Sequence, residues 1–317
     1  MKKRLLIIEC VLLAVLSLTA CSKYNQSEID LRDQGIAAMD EGDYEKAVEL
    51  FNEALGKSIG KVTDLELDID YYKGAAQFSA GQFEDAVETY TYLIKYDEKN
   101  YKPYFLRGSI YAKEGEIGQA IKDYDAAVAI DEKNYLLYIE IYDNLNALGY
   151  TDQGLVYLNN ALSVQDKSDE SKYYKGRIYY MLGKTSDAEK FLKEAMEKDV
   201  IEAKLYLAKI YQDGGDYAAA QSLLEEYASS EEVTSEALGT LGDIELTNGN
   251  FENALNYYEA GLSLDSIDNL PQLMKGKVAA LEKLYRFPEA KDALTQYLEK
   301  YPTDEEASKE LIFLQTR

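Results

Sequence analysis

The sequence predicts an all-α solenoid of about eight antiparallel helical hairpins, closed by a C-terminal capping helix. Three observations predict it. A pattern of small residues recurs close to every 34 positions from residue 28 onward. Only 4 prolines interrupt 317 residues, so long helices meet few breakers. The composition, 46% hydrophobic and 29% charged, is that of ordinary globular chains.

A first mark falls on Gly35, Gly74, Gly108, Tyr142, Gly176, Ala208, Gly242 and Gly276, at spacings of 39, 34, 34, 34, 32, 34 and 34. Seven residues later comes a second glycine, from Gly42 and Gly81 through to Gly249. Twelve after the first mark stands a small residue, such as Ala47, Ala86 or Ala120, and four later a large apolar one, such as Phe51, Tyr90 or Tyr124. Two antiparallel helices joined at the second glycine account for this, because a helix stop commonly takes a positive φ. The first mark and the residue twelve later then lie where the two helices come closest. The large residue one turn on shares that face and fills the gap. A lone hairpin cannot cover its apolar side, so neighbours must stack.

The eight units start near Glu28, Leu67, Tyr101, Tyr135, Asp169, Ile201, Ser235 and Asn269. The first carries an insertion around residues 58–66. The eighth has two extra residues in its turn, which places Phe287, Ala290, Leu294 and Pro302 in register. No Ser/Gly/Pro-rich linker divides residues 28–304, which read as one solenoid. Residues 305–317 read as a cap, with Ala307, Leu311 and Leu314 on one helix face. The fourth unit is irregular: Tyr142 stands at the small position and Gly154 faces it. That mismatch predicts an opened hairpin and the weakest link of the array.

The first twenty residues read as an address. Lys2, Lys3 and Arg4 precede a short apolar run that ends Leu18-Thr19-Ala20-Cys21. A basic start, a short apolar core and small residues before a cut describe a secretory signal peptide. The run is too short to span a membrane comfortably. The four-residue ending resembles the bacterial lipobox. The resemblance implies that Cys21 receives a diacylglycerol and becomes the mature N-terminus, with the protein held at the outer face of a cell membrane. Two or more acyl chains suffice for stable anchoring. Cleavage after Ala20 removes three cations and Glu9, so the formal charge moves from −24 to −26. Residues 21–27 then form a polar linker, and the six from Ser22 to Ser27 reach roughly 20 Å.

Composition excludes several functions. With 34 basic and 58 acidic residues, the chain repels phosphate backbones, so nucleic acid is a poor partner. There is no histidine, which removes the commonest general base and metal ligand. The only cysteines, Cys10 and Cys21, lie in the N-terminal segment, so the body holds no disulfide or thiolate metal site. No Walker loop, G-x-S-x-G or calcium loop occurs, and no metal or cofactor is expected. Among 58 acids, two neighbouring carboxylates carry no information about hydrolysis.

The period of 34 and its four-place agreement resemble the tetratricopeptide repeat family, over nearly the whole body. The resemblance implies a right-handed superhelix whose first helices line a concave groove for a peptide or partner helix. The implied lining is Tyr71 and Phe78, then Lys102, Phe105 and Ser109, then Tyr173, Arg177 and Tyr180, then Leu205 and Lys209. Tyr173, Arg177 and Tyr180 are spaced i, i+4, i+7 and share one helix face. Tyr and Arg are enriched at binding hot spots, although an aromatic stripe at this spacing also packs between helices. Family members that grip a C-terminal carboxylate through Lys, Asn and Arg find no match here, where those places read Ala75, Ser109 and Asp143. The expected function is a membrane-anchored extracytoplasmic scaffold, not an enzyme, binding a protein partner, with an acidic or C-terminal segment as one candidate. A cell-envelope factor stacking glycans on the aromatic groove is the alternative, and a carboxylate hydrolase a third.

Overall fold

The computed structural model describes residues 25–58, 62–230 and 232–316. The address, Cys21 and most of the linker read from the sequence lie outside the described residues, as do residues 59–61 of the first unit's insertion. Among the described residues there are seventeen helices and no strand. They fall into two compact units, divided between Val164 and Gln165.

The N-terminal unit is four hairpins: α1 (Gln26–Glu41) with α2 (Tyr44–Gly56), α3 (Asp64–Ser79) with α4 (Phe83–Tyr96), α5 (Tyr101–Lys113) with α6 (Ile117–Ile130), and α7 (Tyr135–Ala147) with α8 (Thr151–Ser163). The C-terminal unit is four more: α9 (Asp169–Met181) with α10 (Thr185–Met196), α11 (Ala203–Asp213) with α12 (Tyr217–Ala228), α13 (Ser235–Asn248) with α14 (Phe251–Leu262), and α15 (Leu270–Lys283) with α16 (Phe287–Lys300). It ends in α17 (Glu305–Leu314). Helix α1 starts two residues inside the segment read as linker, because Asn25 caps it by accepting from the Ser27 amide.

The recurring residues sit where their spacing requires. Seven hairpin turns carry their glycine at φ between 68° and 87°. Within five hairpins the first-mark glycine faces the large residue sixteen positions on. A Cβ on Gly74 would come within 2.6 Å of the Tyr90 ring, and one on Gly242 within 2.5 Å of Tyr258. Those distances leave no room for a methyl group, so the close approach depends on glycine. The eighth hairpin differs, since Gly276 packs against Tyr258 of the preceding hairpin.

The eighth turn departs from the rule. Tyr285 holds the left-handed position at φ 58°, where an L side chain costs about 1 kcal/mol. Its ring is 80% exposed and touches Phe287 edge-on at 6.0 Å between centroids. Tyr285→Gly should therefore raise stability by about 0.5–1 kcal/mol, after allowing for glycine's freedom in the unfolded chain. A lower midpoint in urea would show that the ring contact outweighs the backbone strain.

The fourth hairpin does not open as the sequence suggests. A Cβ on Gly154 would lie 3.2 Å from the Tyr142 carbonyl oxygen and 3.3 Å from its Cα. The backbones therefore approach as closely as in the neighbouring hairpin, where the corresponding distance from Gly108 to the Ala120 oxygen is 3.3 Å. The small residue has changed sides, and that exchange preserves the fit. Helix α7 also buries Tyr135, Leu137, Tyr138, Ile139, Ile141 and Leu145.

Candidate partner-binding site

In the C-terminal unit the first helices α9 and α11 bring four expected residues around one outside the expected set. That residue is Tyr206, at 7% exposure. The rings of Tyr173 and Tyr180 meet it edge-on, with centroids 6.0 and 5.9 Å away. The Arg177 guanidinium carbon lies 5.4 Å from its centroid and the Lys209 Nζ 4.9 Å. Cations at these distances are attracted by the ring's negative face. The spacings explain the grouping. Tyr173, Arg177 and Tyr180 share a face of α9, and Tyr206 and Lys209 stand one turn apart on α11.

Carboxylates complete the cluster. The Tyr180 hydroxyl donates to Asp213 Oδ2 at 3.0 Å. Burial, then this bond to a carboxylate, push the Tyr180 phenol up to about 12. Burial also raises Tyr173, with Tyr206 as the next cause. Both phenols therefore stay protonated, and Tyr180 acts as a donor. Lys209 forms a short ion pair with Glu236 of α13, so this lysine already has a counter-ion within the chain.

Leu205 does not join this face. It is 4% exposed and precedes Ala208, the small position, by three residues. It packs in the apolar core of the C-terminal unit, and Tyr206, rotated by about 100°, meets the rings and cations instead.

In the N-terminal unit the expected residues scatter. Phe78 is buried, with its ring 5.5 Å from Phe83 at the start of α4. Ser109 is buried too. Its hydroxyl donates to the Phe105 carbonyl at 2.9 Å and lies 3.3 Å from the Tyr124 hydroxyl. Ser109 follows Gly108, whose contact is Tyr124, so it belongs to the same closed approach. Phe78, Ser109 and Leu205 are thus removed from any open lining. Phe105 is half-buried with its ring 5.9 Å from Tyr124. Tyr71 accepts from Asn100 Nδ2 at 3.0 Å, tying α3 to the cap of α5. Lys102 is exposed in the first turn of α5.

The model of the tetratricopeptide repeat family matches residues 71–135 and 205–269. These two stretches are similar to tetratricopeptide repeats. One lies in each unit, and the second begins at Leu205, so the Tyr206 cluster stands partly on a matched repeat. The fold is similar to that of a tetratricopeptide repeat protein from Parabacteroides merdae, with 19% identity and a TM-score of 0.51 over 81% of this chain and 100% of that one. It is also similar to a chain of the APC/C hetero-tetramer Cut9–Hcn1, with 13% identity and a TM-score of 0.51 over 94% of this chain and 72% of that one. At such identities the likeness concerns the fold. No curated protein matches the sequence. Among the described residues, no helix is long and apolar enough to cross a membrane, and no group of three or more His, Cys, Asp or Glu could hold a metal ion.

Proposed function

We propose that this chain is a lipid-anchored extracytoplasmic scaffold that holds a segment of a partner protein against the Tyr206-centred face of its C-terminal unit, without a catalytic step of its own. The observation that carries the reading is the cluster itself. Three tyrosines and two cations converge on the first helices of a tetratricopeptide array, and Tyr and Arg are among the residue types that dominate binding hot spots. The anchor rests on the Leu18-Thr19-Ala20-Cys21 box after a basic, apolar start. The acidic or C-terminal segment suggested by the sequence rests on Lys102, Arg177 and Lys209, and Glu236 already offsets Lys209. Glycan stacking needs an open ring face, which Tyr206 at 7% exposure does not offer.

Two measurements test the proposal. Cys21→Ser should move the protein from the membrane fraction to the soluble fraction while export continues. Retention on the membrane would mean a different anchor. For the face, the partner crosslinked to the protein in its own membranes is purified and titrated against Arg177→Ala and Tyr180→Ala. Loss of a hot spot costs about 2 kcal/mol, or roughly thirtyfold in affinity. Unchanged affinity in both folded variants would move the binding site elsewhere.

A further inference from the structure

We infer that the segment seated on this face is basic, carrying Lys or Arg side chains. The inference rests on the proposed face and adds the partner's chemistry. The cations at the cluster are engaged within it. Lys209 lies on the Tyr206 ring and pairs with Glu236, and Arg177 lies over the same ring. The carboxylates keep acceptor capacity. Asp213 is exposed and accepts through one oxygen from Tyr180. The Glu236 side chain keeps 41% of its surface open.

Charge is also segregated along the chain. From residue 210 to residue 274 there are five Asp and eight Glu, and no Lys or Arg. That stretch runs from the end of α11 through α12, α13 and α14 into α15. The cations that bound it in sequence, Lys209 and Lys275, are ion-paired with Glu236 and Asp304. A surface of one sign raises the local concentration of oppositely charged segments and speeds their encounter. An acidic segment meets the opposite, because the stretch stays net negative although Glu226, Glu236, Glu252 and Glu259 pair with Lys204, Lys209, Arg286 and Lys277, and that charge acts within a Debye length of about 8 Å.

Lys209 shows how the face holds a cation, with its ammonium between an aromatic ring and a carboxylate. A partner lysine has the same two elements available at the half-buried Tyr180 ring and at Asp213. Its alkyl stem would cover the ring while its charge meets the carboxylate.

The test uses the full chain and two fluorescein-labelled peptides of about twelve residues on the same Tyr/Leu/Gly background, one carrying several Lys and the other as many Glu. Anisotropy is followed at low salt and at about 0.15 M. The Lys peptide should bind about tenfold or more tightly than the Glu peptide, with affinity falling as salt rises. Asp213→Asn with Glu236→Gln should weaken it roughly fivefold, within the range of two surface pairs. Lys209→Gln should tighten it, because Glu236 loses its internal partner. None of these three residues is fully buried, and unchanged helicity verifies the fold. Preference for the Glu peptide, with loss on Tyr180→Ala, overturns the basic partner and leaves the face standing. Lys-peptide binding that ignores both the Asp213/Glu236 pair and Tyr180 overturns the inference, since the charge would act diffusely. Absence of binding by either peptide at millimolar concentration overturns it as well.

Discussion

Tyr258→Ala should destabilise the C-terminal unit by about 3–5 kcal/mol, the range for deleting a large buried ring. Tyr258 has no exposed surface and is wedged between two glycines, Gly242 of its own hairpin and Gly276 of the next. Its hydroxyl donates to Asp243 Oδ1 at 2.7 Å. One side chain therefore joins α13, α14 and α15. The backbones approach because the glycines carry no side chain, so the vacated volume has no neighbour that can fold into it. Tyr258→Phe keeps the ring and loses only the hydrogen bond, at about 1 kcal/mol. Asp243 keeps its bond from Gln272 at 2.6 Å, which limits that cost. Urea unfolding followed by near-ultraviolet tyrosine dichroism compares the two variants. Equal losses would mean that the hydrogen bond, and not the wedge, holds the stack.

Arg107→Ala should cost the N-terminal unit about 3 kcal/mol or more, because it strands a buried carboxylate. The Arg107 guanidinium meets Asp123 through two nitrogens, each at 2.7 Å, and donates a third bond to Thr91 at 2.8 Å. The side chains of Arg107 and Asp123 keep only 18% and 8% of their surfaces. The bond to Asp123 raises the arginine's pKa, so the guanidinium stays charged. It links α4, α5 and α6 through polar contacts. Asp123→Ala should cost a similar amount, whereas Arg107→Met with Asp123→Leu should cost far less than either single change, since no charge is left unpaired. A double variant as unstable as the singles would show that the shape of the network, and not its charge balance, matters here.

Much of this fold is legible in the sequence because glycine and alanine report backbone proximity directly. A glycine at the first mark needs a large side chain sixteen residues later, and Gly35–Phe51, Gly74–Tyr90, Gly108–Tyr124 and Gly176–Leu192 supply it. The face of a helix that meets a partner is less legible. Successive residues are rotated by about 100°, so an error of one position exchanges a core leucine, Leu205, for the central ring, Tyr206. A usable signal exists, since Tyr206 stands two residues before the small Ala208, as Tyr72 does before Gly74 and Tyr174 before Gly176. Ion pairing is illegible for a different reason. Lys209 and Glu236 lie 27 residues apart on separate hairpins, and spacing within a repeat does not reveal which acid of the next repeat takes up a cation. The expectation of an opened fourth hairpin follows from the bulk of Tyr142, yet the facing Gly154 restores the space.

Photo-crosslinking from chosen positions tests the central claim most directly. Benzoyl-phenylalanine is placed at position 180, beside Tyr206, or at position 217, an exposed tyrosine on the second helix α12. Each full-length variant is irradiated in its own membranes. A protein adduct should form from position 180 and be lost when Arg177→Ala is added, while position 217 gives none. An adduct from position 217 alone, or one from position 180 that survives Arg177→Ala undiminished, would contradict the account.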